Sequence, residues 1–455
     1  MNSKVRDQIL RRQRRVHRRL QQDNVADRGA VMATRAARFE TCARTIATSA
    51  GGVRLAHELA RSVNLPQQID KHVDLLKLHR PYHESDHVLS LAYNLLAGGT
   101  CIEDLEQRRT DEAFLNMLGV ERLPDPTTSG DFCRRFKTKK SIDGLQTAIN
   151  ESRLRVWQRQ PSSFFDQAIV DADGTIAETT GECKEGMDMS YKGIWGYQHL
   201  VVSLANTQEV LFQDLRPGSR GSQEGAAERL DESVDLLRRA GFRSILLRGD
   251  TAYSQTKFLD GWDDNCVEFV FGMQAAENLV STAEGLKESD WRLFERDPSY
   301  EVRTSTRKRP RKVKEDIVLE REYYNQHLCR EDVAEFDYRP GACKAPYRII
   351  VLRKRITHER GQQLLHVEHR FLFYITNTAL TAEQVVASAN DRCMQERTIS
   401  ELKSGVNALR MPLGDLHSNW AYSIIATLAW NLSRWIGLVL PIAKRWRQKH
   451  TEEKK

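Results

Sequence analysis

Three carboxylates sit where a sheet-based active site would place them. Asp171 and Asp173 end the apolar run Ala168-Ile-Val170, two residues apart. At the period of a strand both face the same way, with Asp173 nearer the strand end. Asp250 closes a second run, Ser244-Ile-Leu-Leu-Arg-Gly249. An aspartate just past such a run stands at the sheet edge, where open α/β folds bind ligands. Either acid alone reads as a cap or turn residue. The third comes from a helix. At about 100° per residue, Arg392, Glu396 and Lys403 fall within a stripe about 40° wide, beside an apolar face of Ile399, Leu402, Val406 and Leu409. Glu401 lies roughly 140° from Glu396, on a side expected to face solvent. The competing reading is a surface ion pair between Arg392 and Glu396. Together, two or three carboxylates suit Mg²⁺, a hard ion with oxygen ligands. A metal pair serves an in-line phosphoryl displacement by activating the attacking oxygen and stabilising the leaving one. Arg392, Lys403 and Arg248 then form a substrate-binding set, Arg by two-point contact and Lys as a compact charge.

The elements that must position these groups follow from periodicity. Residues 168–175, 198–205, 209–215, 244–250 and 267–273 are strand-like, with a helical stretch at 222–241. That order predicts an α/β fold, a mixed sheet covered by helices. From about 275 to 365 the rhythm is lost. This region holds the basic run Val302–Lys314 and a strand-like Tyr347–Ile356. A further buried-strand candidate, Phe371–Asn377, precedes two helical stretches. The expected divisions are a basic arm at 1–30 and a helical DNA-binding domain at 31–160. A core follows at 161–275, then a mainly β insertion at 276–365, and the rest of the core with a basic tail at 366–455. Within the helical domain, Pro124–Phe132 offers a proline-rich stop and hydroxyl N-caps for a helix carrying Arg134, Arg135, Lys137, Lys139 and Lys140.

Composition narrows the class. The 455 residues are 40% hydrophobic and 29% charged, and mean hydropathy is −0.56. That excludes a disordered chain and a multi-pass membrane protein. The net charge is +7, and the first twenty residues, with eight basic side chains against Asp7, account for it. A positive arm on a balanced body points to a polyanion partner. Lys4, Arg11, Arg12, Arg14 and Arg15 of the arm, and Arg307, Lys308 and Arg309 of the central run, read as phosphate contacts. The eight cysteines show no CxxC pair, so reduced thiols are expected. No apolar h-region marks a signal peptide. The stretch Trp420–Leu440 contains Asn431 and Arg434, which suits a buried helix and not a membrane span. A cytoplasmic protein, nucleoid-associated when bound, is expected. Tyr191, Trp195, Tyr197 and Tyr253 lie near the acidic blocks and could stack on an unpaired base. The Gly-rich Arg216–Ser222 lacks the GK[ST] of a P-loop, so no nucleotide cofactor is implied. His199 reads as structural.

In combination the blocks resemble the DDE transposases of bacterial insertion sequences, in particular the insertion-sequence thirteen-eighty group. The shared pattern runs from Asp171-Ala-Asp173-Gly-Thr175 through Tyr191–Tyr197, Arg216-Pro-Gly218 and Leu247–Asp250 to Phe269–Gly272. It ends with Arg392-x3-Glu396-x6-Lys403 and the aromatic helix Trp420–Trp435. The resemblance implies an RNase H-like core interrupted by a mainly β insertion. It implies a triad of Asp173, Asp250 and Glu396 that also holds the metal, Mg²⁺ or alternatively Mn²⁺, as two ions. Arg392 and Lys403 match the signature positions that support the helix acid, while Ala389 stands where the signature has tyrosine. The implied reaction is hydrolysis at a terminal inverted repeat followed by attack of the exposed 3′-hydroxyl on double-stranded target DNA, by at least a dimer. Two other classes stay open: an RNase H-like nuclease that does not join strands, and a catalytically silent DNA-binding protein derived from a transposase.

Overall fold

The computed structural model describes Leu10, Arg11, Arg14 and residues 29–33, 48–296, 321–361 and 363–440. Among the described residues ten strands form one sheet. In chain order they are β1 (Gln167–Glu178), β2 (Asp188–Met189), β3 (Trp195–Leu204), β4 (Glu209–Pro217), β5 (Ser244–Gly249) and β6 (Glu268–Met273). The others are β7 (Arg292–Leu293), β8 (Tyr324–Tyr338), β9 (Tyr347–Arg360) and β10 (Gln363–Thr376). The spatial order is β2-β3-β1-β5-β6-β10-β9-β8-β7, with β4 on the outer side of β3. β5 and β6 run parallel to β1, whereas β3 and β10 run antiparallel to their neighbours. The sheet is therefore mixed, as the alternation of apolar runs predicts.

Helices flank it. α1 (Val53–Ser62), α2 (Leu65–His72), α3 (Glu84–Leu96), α4 (Leu105–Thr110), α5 (Glu112–Leu118), α6 (Pro126–Cys133) and α7 (Lys139–Trp157) precede the sheet. α8 (Ala226–Ala240) follows β4, and α9 (Leu259–Asp264) and α10 (Glu277–Glu284) lie around β6. After β10 come α11 (Ala382–Asp391), α12 (Cys393–Ser404) and α13 (Leu416–Val439). α8 covers one face, where Leu230, Val234 and Leu237 join Ala172, Leu200 and Val202 in one apolar cluster.

α13 explains how the N-terminal helices attach. Its apolar side chains and those of α1–α7 belong to a single core. Its buried polar residues serve β4, whose outer edge has no strand partner among those described. Asn431 accepts from Val210 N at 2.9 Å and donates to its carbonyl at 3.0 Å. The indoles of Trp420 and Trp430 donate to the carbonyls of Gln213 and Gln208, each at 2.7 Å. Covering an edge in this way removes a template for unwanted strand pairing. Asn431 and Arg434 therefore interrupt the apolar run because they face a strand edge and the Trp430 ring, which Arg434 overlies at 4.3 Å. No described helix is long and apolar enough to cross a membrane.

Two sequence expectations change here. Residues 324–376, read mostly as an insertion, continue the core sheet: β10 pairs with β6 over Phe373–Thr376, and β9 and β8 add beyond it. Their far halves carry charged and polar residues on both faces, so apolar alternation could not reveal them. The helix expected to carry Arg134 to Lys140 ends at Cys133. Asp125 caps it, accepting from Thr128 N at 2.9 Å, and the basic residues fall in the exposed turn and first turn of α7.

Three buried imidazoles make stability pH-dependent. Burial, ahead of nearby arginines, lowers His57 and His87 to about 4 and His199 to about 3, from 6.5. The unfolded chain therefore takes up these protons first. Their contribution is complete above pH 6.5 and is lost on acidification towards 4, each imidazole costing ~2 kcal/mol at pH 5. Asp70 and Asp86, raised by burial, act in the opposite direction. His87→Phe keeps the ring stack on Phe132 (4.6 Å) and isolates one imidazole. The melting temperature should fall between pH 7.5 and 5, and fall less in this variant; equal slopes would contradict the account.

Candidate active site

Two aspartates on one face of β1 meet different fates. Asp171 is fully buried and is paired across the parallel ladder with Arg248 of β5. The guanidinium grips both carboxylate oxygens, at 2.7 and 2.9 Å, and donates to the Ser388 carbonyl of α11 at 2.8 Å. Asp173 lies two residues on. β1 itself continues to Glu178, so the two aspartates do not end the strand as expected, although Asp173 is the nearer to its end. The ladder with β5, however, stops at Ala172 opposite Gly249. One residue further, Asp173 and Asp250 are neighbours at an open edge. Asp250 is fixed there by a turn in which its carboxylate accepts from Ala252 N at 2.8 Å.

The helix acid arrives by a different route. Gln395, buried beside Glu396, donates to the Val201 carbonyl at 3.1 Å and accepts from the Ser203 hydroxyl. Val201 is the β3 partner of Asp173. The start of α12 is thereby pinned to the row that holds Asp173. Sequence reasoning missed Gln395, although it precedes Ile399 and Leu402 on the apolar face at helical spacing. Arg392 stands at the junction of α11 and α12. Its guanidinium forms an ion pair with Asp173 at 3.3 Å, both side chains being 18% exposed.

Charge confirms the proximity. Burial raises the Asp173 carboxyl above its ordinary value; Arg392 and the Gly174 N–H pull it down, while Asp250 and Glu396 push it up. Both other acids therefore lie within electrostatic reach. Lys403 is exposed, and its charge helps depress His199, the β3 partner of Thr175. Glu401, expected in solvent, is half-buried and faces Arg434 of α13.

The remaining expected contacts divide. Arg248 is 3% exposed with its donors engaged, so it holds β1 to β5 and is not free to bind substrate. Arg11 and Arg14 are exposed and helical. Lys4, Arg12, Arg15, Arg307, Lys308 and Arg309 lie outside the described residues. Of the stacking candidates, Tyr197 and Tyr253 are buried, whereas Tyr191 is 74% and Trp195 42% exposed. The seven described cysteines are free thiols.

Hard carboxylate oxygens suit a divalent cation in donor type. Among the described residues no group of three or more His, Cys, Asp or Glu side chains is placed to hold a metal ion. Asp173, Asp250 and Glu396 match such an ion in donor type alone, and Arg392 is the cation facing Asp173.

Arg248→Met removes one partner of a buried pair and leaves Asp171 uncompensated. It should destabilise the fold by ~3–5 kcal/mol in urea unfolding. If Arg248 instead contacts a phosphate, stability will hold and only the salt dependence of DNA binding will change.

Among solved structures, the chain is similar to piggyBac transposase, determined by cryo-EM in a synaptic complex with hairpin DNA. Identity is 10%, the alignment covers 88% of this chain and 84% of that one, and the TM-score is 0.39. No curated protein gave a match. The family model described as transposase DDE domain group 1 matches residues 42–453, nearly the whole chain, and the chain belongs to that family of DDE transposases.

Proposed function

We propose that this chain is the transposase of a bacterial insertion sequence of the thirteen-eighty group. In this reading it binds the terminal inverted repeats of its own element, hydrolyses a phosphodiester there and joins the exposed 3′-hydroxyl to target DNA, acting as a dimer on two DNA ends. The observation that carries the reading is the Arg392–Asp173 ion pair at one sheet edge, with Asp250 and Glu396 within electrostatic reach of Asp173. Transposase DDE domains use divalent ions, and the donor set here favours Mg²⁺. A bound ion pair would be held by Asp173, Asp250 and Glu396, and would supply Lewis acidity at the attacking and leaving oxygens.

The side chains have separable tasks. Arg392 neutralises Asp173 while the site is without DNA, and its planar fork suits a phosphate flanking the cut bond. Lys403 adds a compact exposed charge further along the same helix. Gln395 positions Glu396, because its two hydrogen bonds fix the first turn of α12 against β3. The Arg248–Asp171 pair fixes the register that brings Asp173 beside Asp250. The exposed arginines of the arm would add salt-dependent, sequence-independent affinity.

The test is a cleavage and strand-transfer assay on duplexes bearing the element's terminal repeats, with Mg²⁺ and with EDTA. Asp173→Ala, Asp250→Ala and Glu396→Ala should each lose activity by more than ~100-fold, the upper range for disturbing even a ligand's support. Glu401→Gln should retain it. Nicking without joining would replace the transposase reading with a nuclease. Specific binding with no chemistry in any metal would leave a silent DNA-binding protein.

A further inference from the structure

A second polar cluster reaches the same sheet edge from the other face. β4 pairs antiparallel with β3, and β3 antiparallel with β1, so β4 runs with β1 and ends level with Ala177, four residues past Asp173. Gln198 of β3 pairs with both Ile176 and Arg216. By alternation these share a face with Gly174, opposite the face of Asp173. Gly174 is where the cluster closes. A Cβ there would lie 2.7 Å from Gln198 Nε2, 3.1 Å from Tyr253 Oη and 3.2 Å from Ser222 Cβ.

The cluster has more donors than partners. Arg216 spends Nη1 on the loop into α8, donating to the carbonyls of Gly221 and Ser222, each at 3.2 Å, and of Glu224. Its Nε and Nη2 are buried without a partner, as are Tyr253 Oη and Gln198 Oε1. Tyr253 and Gln198 are each 1% exposed. Unpaired buried donors are costly, and a cationic fork with a hydroxyl beside it is matched by an anion offering several oxygens. Tyr253 stays a donor, because burial and the charge of Asp173 push its phenol upward. A half-turn of the Gln198 amide exchanges its unpartnered oxygen for a donor. The loop then enters the 15-residue α8 through Gly225, which provides no side-chain cap, so the positive end of a helix dipole lies at the end of the same loop.

We propose that Arg216 and Tyr253, with Gln198 and the start of α8, form a subsite for one phosphodiester group of the DNA strand that crosses the sheet edge at the acids. This deepens the transposase reading and rests on it. Acids on one face of β1 and the anion subsite on the other would hold neighbouring phosphates of one strand and so fix where the cut falls.

The probe is a fluorescein-labelled duplex of arbitrary sequence, titrated with full-length protein across a range of salt concentrations and without metal. Arg216→Gln should weaken binding about tenfold and reduce the slope of log K against log salt by about one. Arg216→Lys should keep the slope. Tyr253→Phe should weaken binding severalfold at unchanged slope, and Arg220→Gln, an exposed neighbour paired with Glu224 at 2.8 Å, should do less than Arg216→Gln. Melting temperatures identify any variant that fails to fold, in which case Tyr253→Phe carries the test. Folded Arg216→Gln and Tyr253→Phe variants that bind with wild-type affinity and slope would overturn the subsite. Wild-type protein that binds no DNA would instead count against the transposase reading.

Discussion

A sheet cannot leave two carboxylates bare on one face of a central strand. Asp171 and Asp173 both lie on that face, and the structure resolves the conflict with two guanidiniums, Arg248 on Asp171 and Arg392 on Asp173. Arg248 sits opposite Asp171 on β5, and its two-point grip compensates a charge that burial would otherwise make prohibitive. The pair also locks register. A slip of one residue would turn Arg248 to the other face and leave Asp171 unpaired. With register fixed, Asp250 comes to the level of Asp173, and the end of the ladder leaves that row open. Asp173 and Asp250 are the acids that the buried pair leaves over.

Everything else at the site is built against this row. β3 presents Val201 opposite Asp173, and Gln395 uses the Val201 carbonyl to dock α12, bringing Glu396 alongside. α13 seals the outer edge of β4 by hydrogen bonds from side chains, and through the core it shares with α1–α7 it joins the helical region to the sheet. β4 runs on to Pro217, which places Arg216 level with Ile176 of β1, three residues past Asp173. The site thus depends on tertiary placement from both ends of the chain, separated by more than two hundred residues.

Local patterns made part of this legible. Strands β1, β3, β4, β5 and β6 alternate or run apolar in the sequence, and Asp173 and Asp250 stand out because acids at the ends of such runs are uncommon in a core. Helical geometry picked Glu396 over Glu401, since only the former shares a stripe with Arg392 beside the apolar face. Long-range pairing was not legible. Arg248 looked like a phosphate ligand because its partner lies 77 residues away. Tyr253 and Tyr197 looked like stacking platforms because burial by loops and helices leaves no local trace. The apolar parts of β9 and β10 showed as strands, but β8 and the polar far halves of β9 and β10 did not, because charged and polar residues occupy both faces there, and Gln395 gave no local signal of its partners on β3. In each case the deciding contact crosses between elements.

The central claim is that Asp173, Asp250 and Glu396 share one metal site. Loading the protein with Fe²⁺ in place of Mg²⁺, adding ascorbate and peroxide, and mapping backbone breaks by mass spectrometry tests it without DNA or activity. The account predicts breaks clustered near residues 173, 250 and 396, all lost together in Asp173→Asn. Breaks near 173 and 250 that persist unchanged in Glu396→Gln, with none near 396, would contradict it.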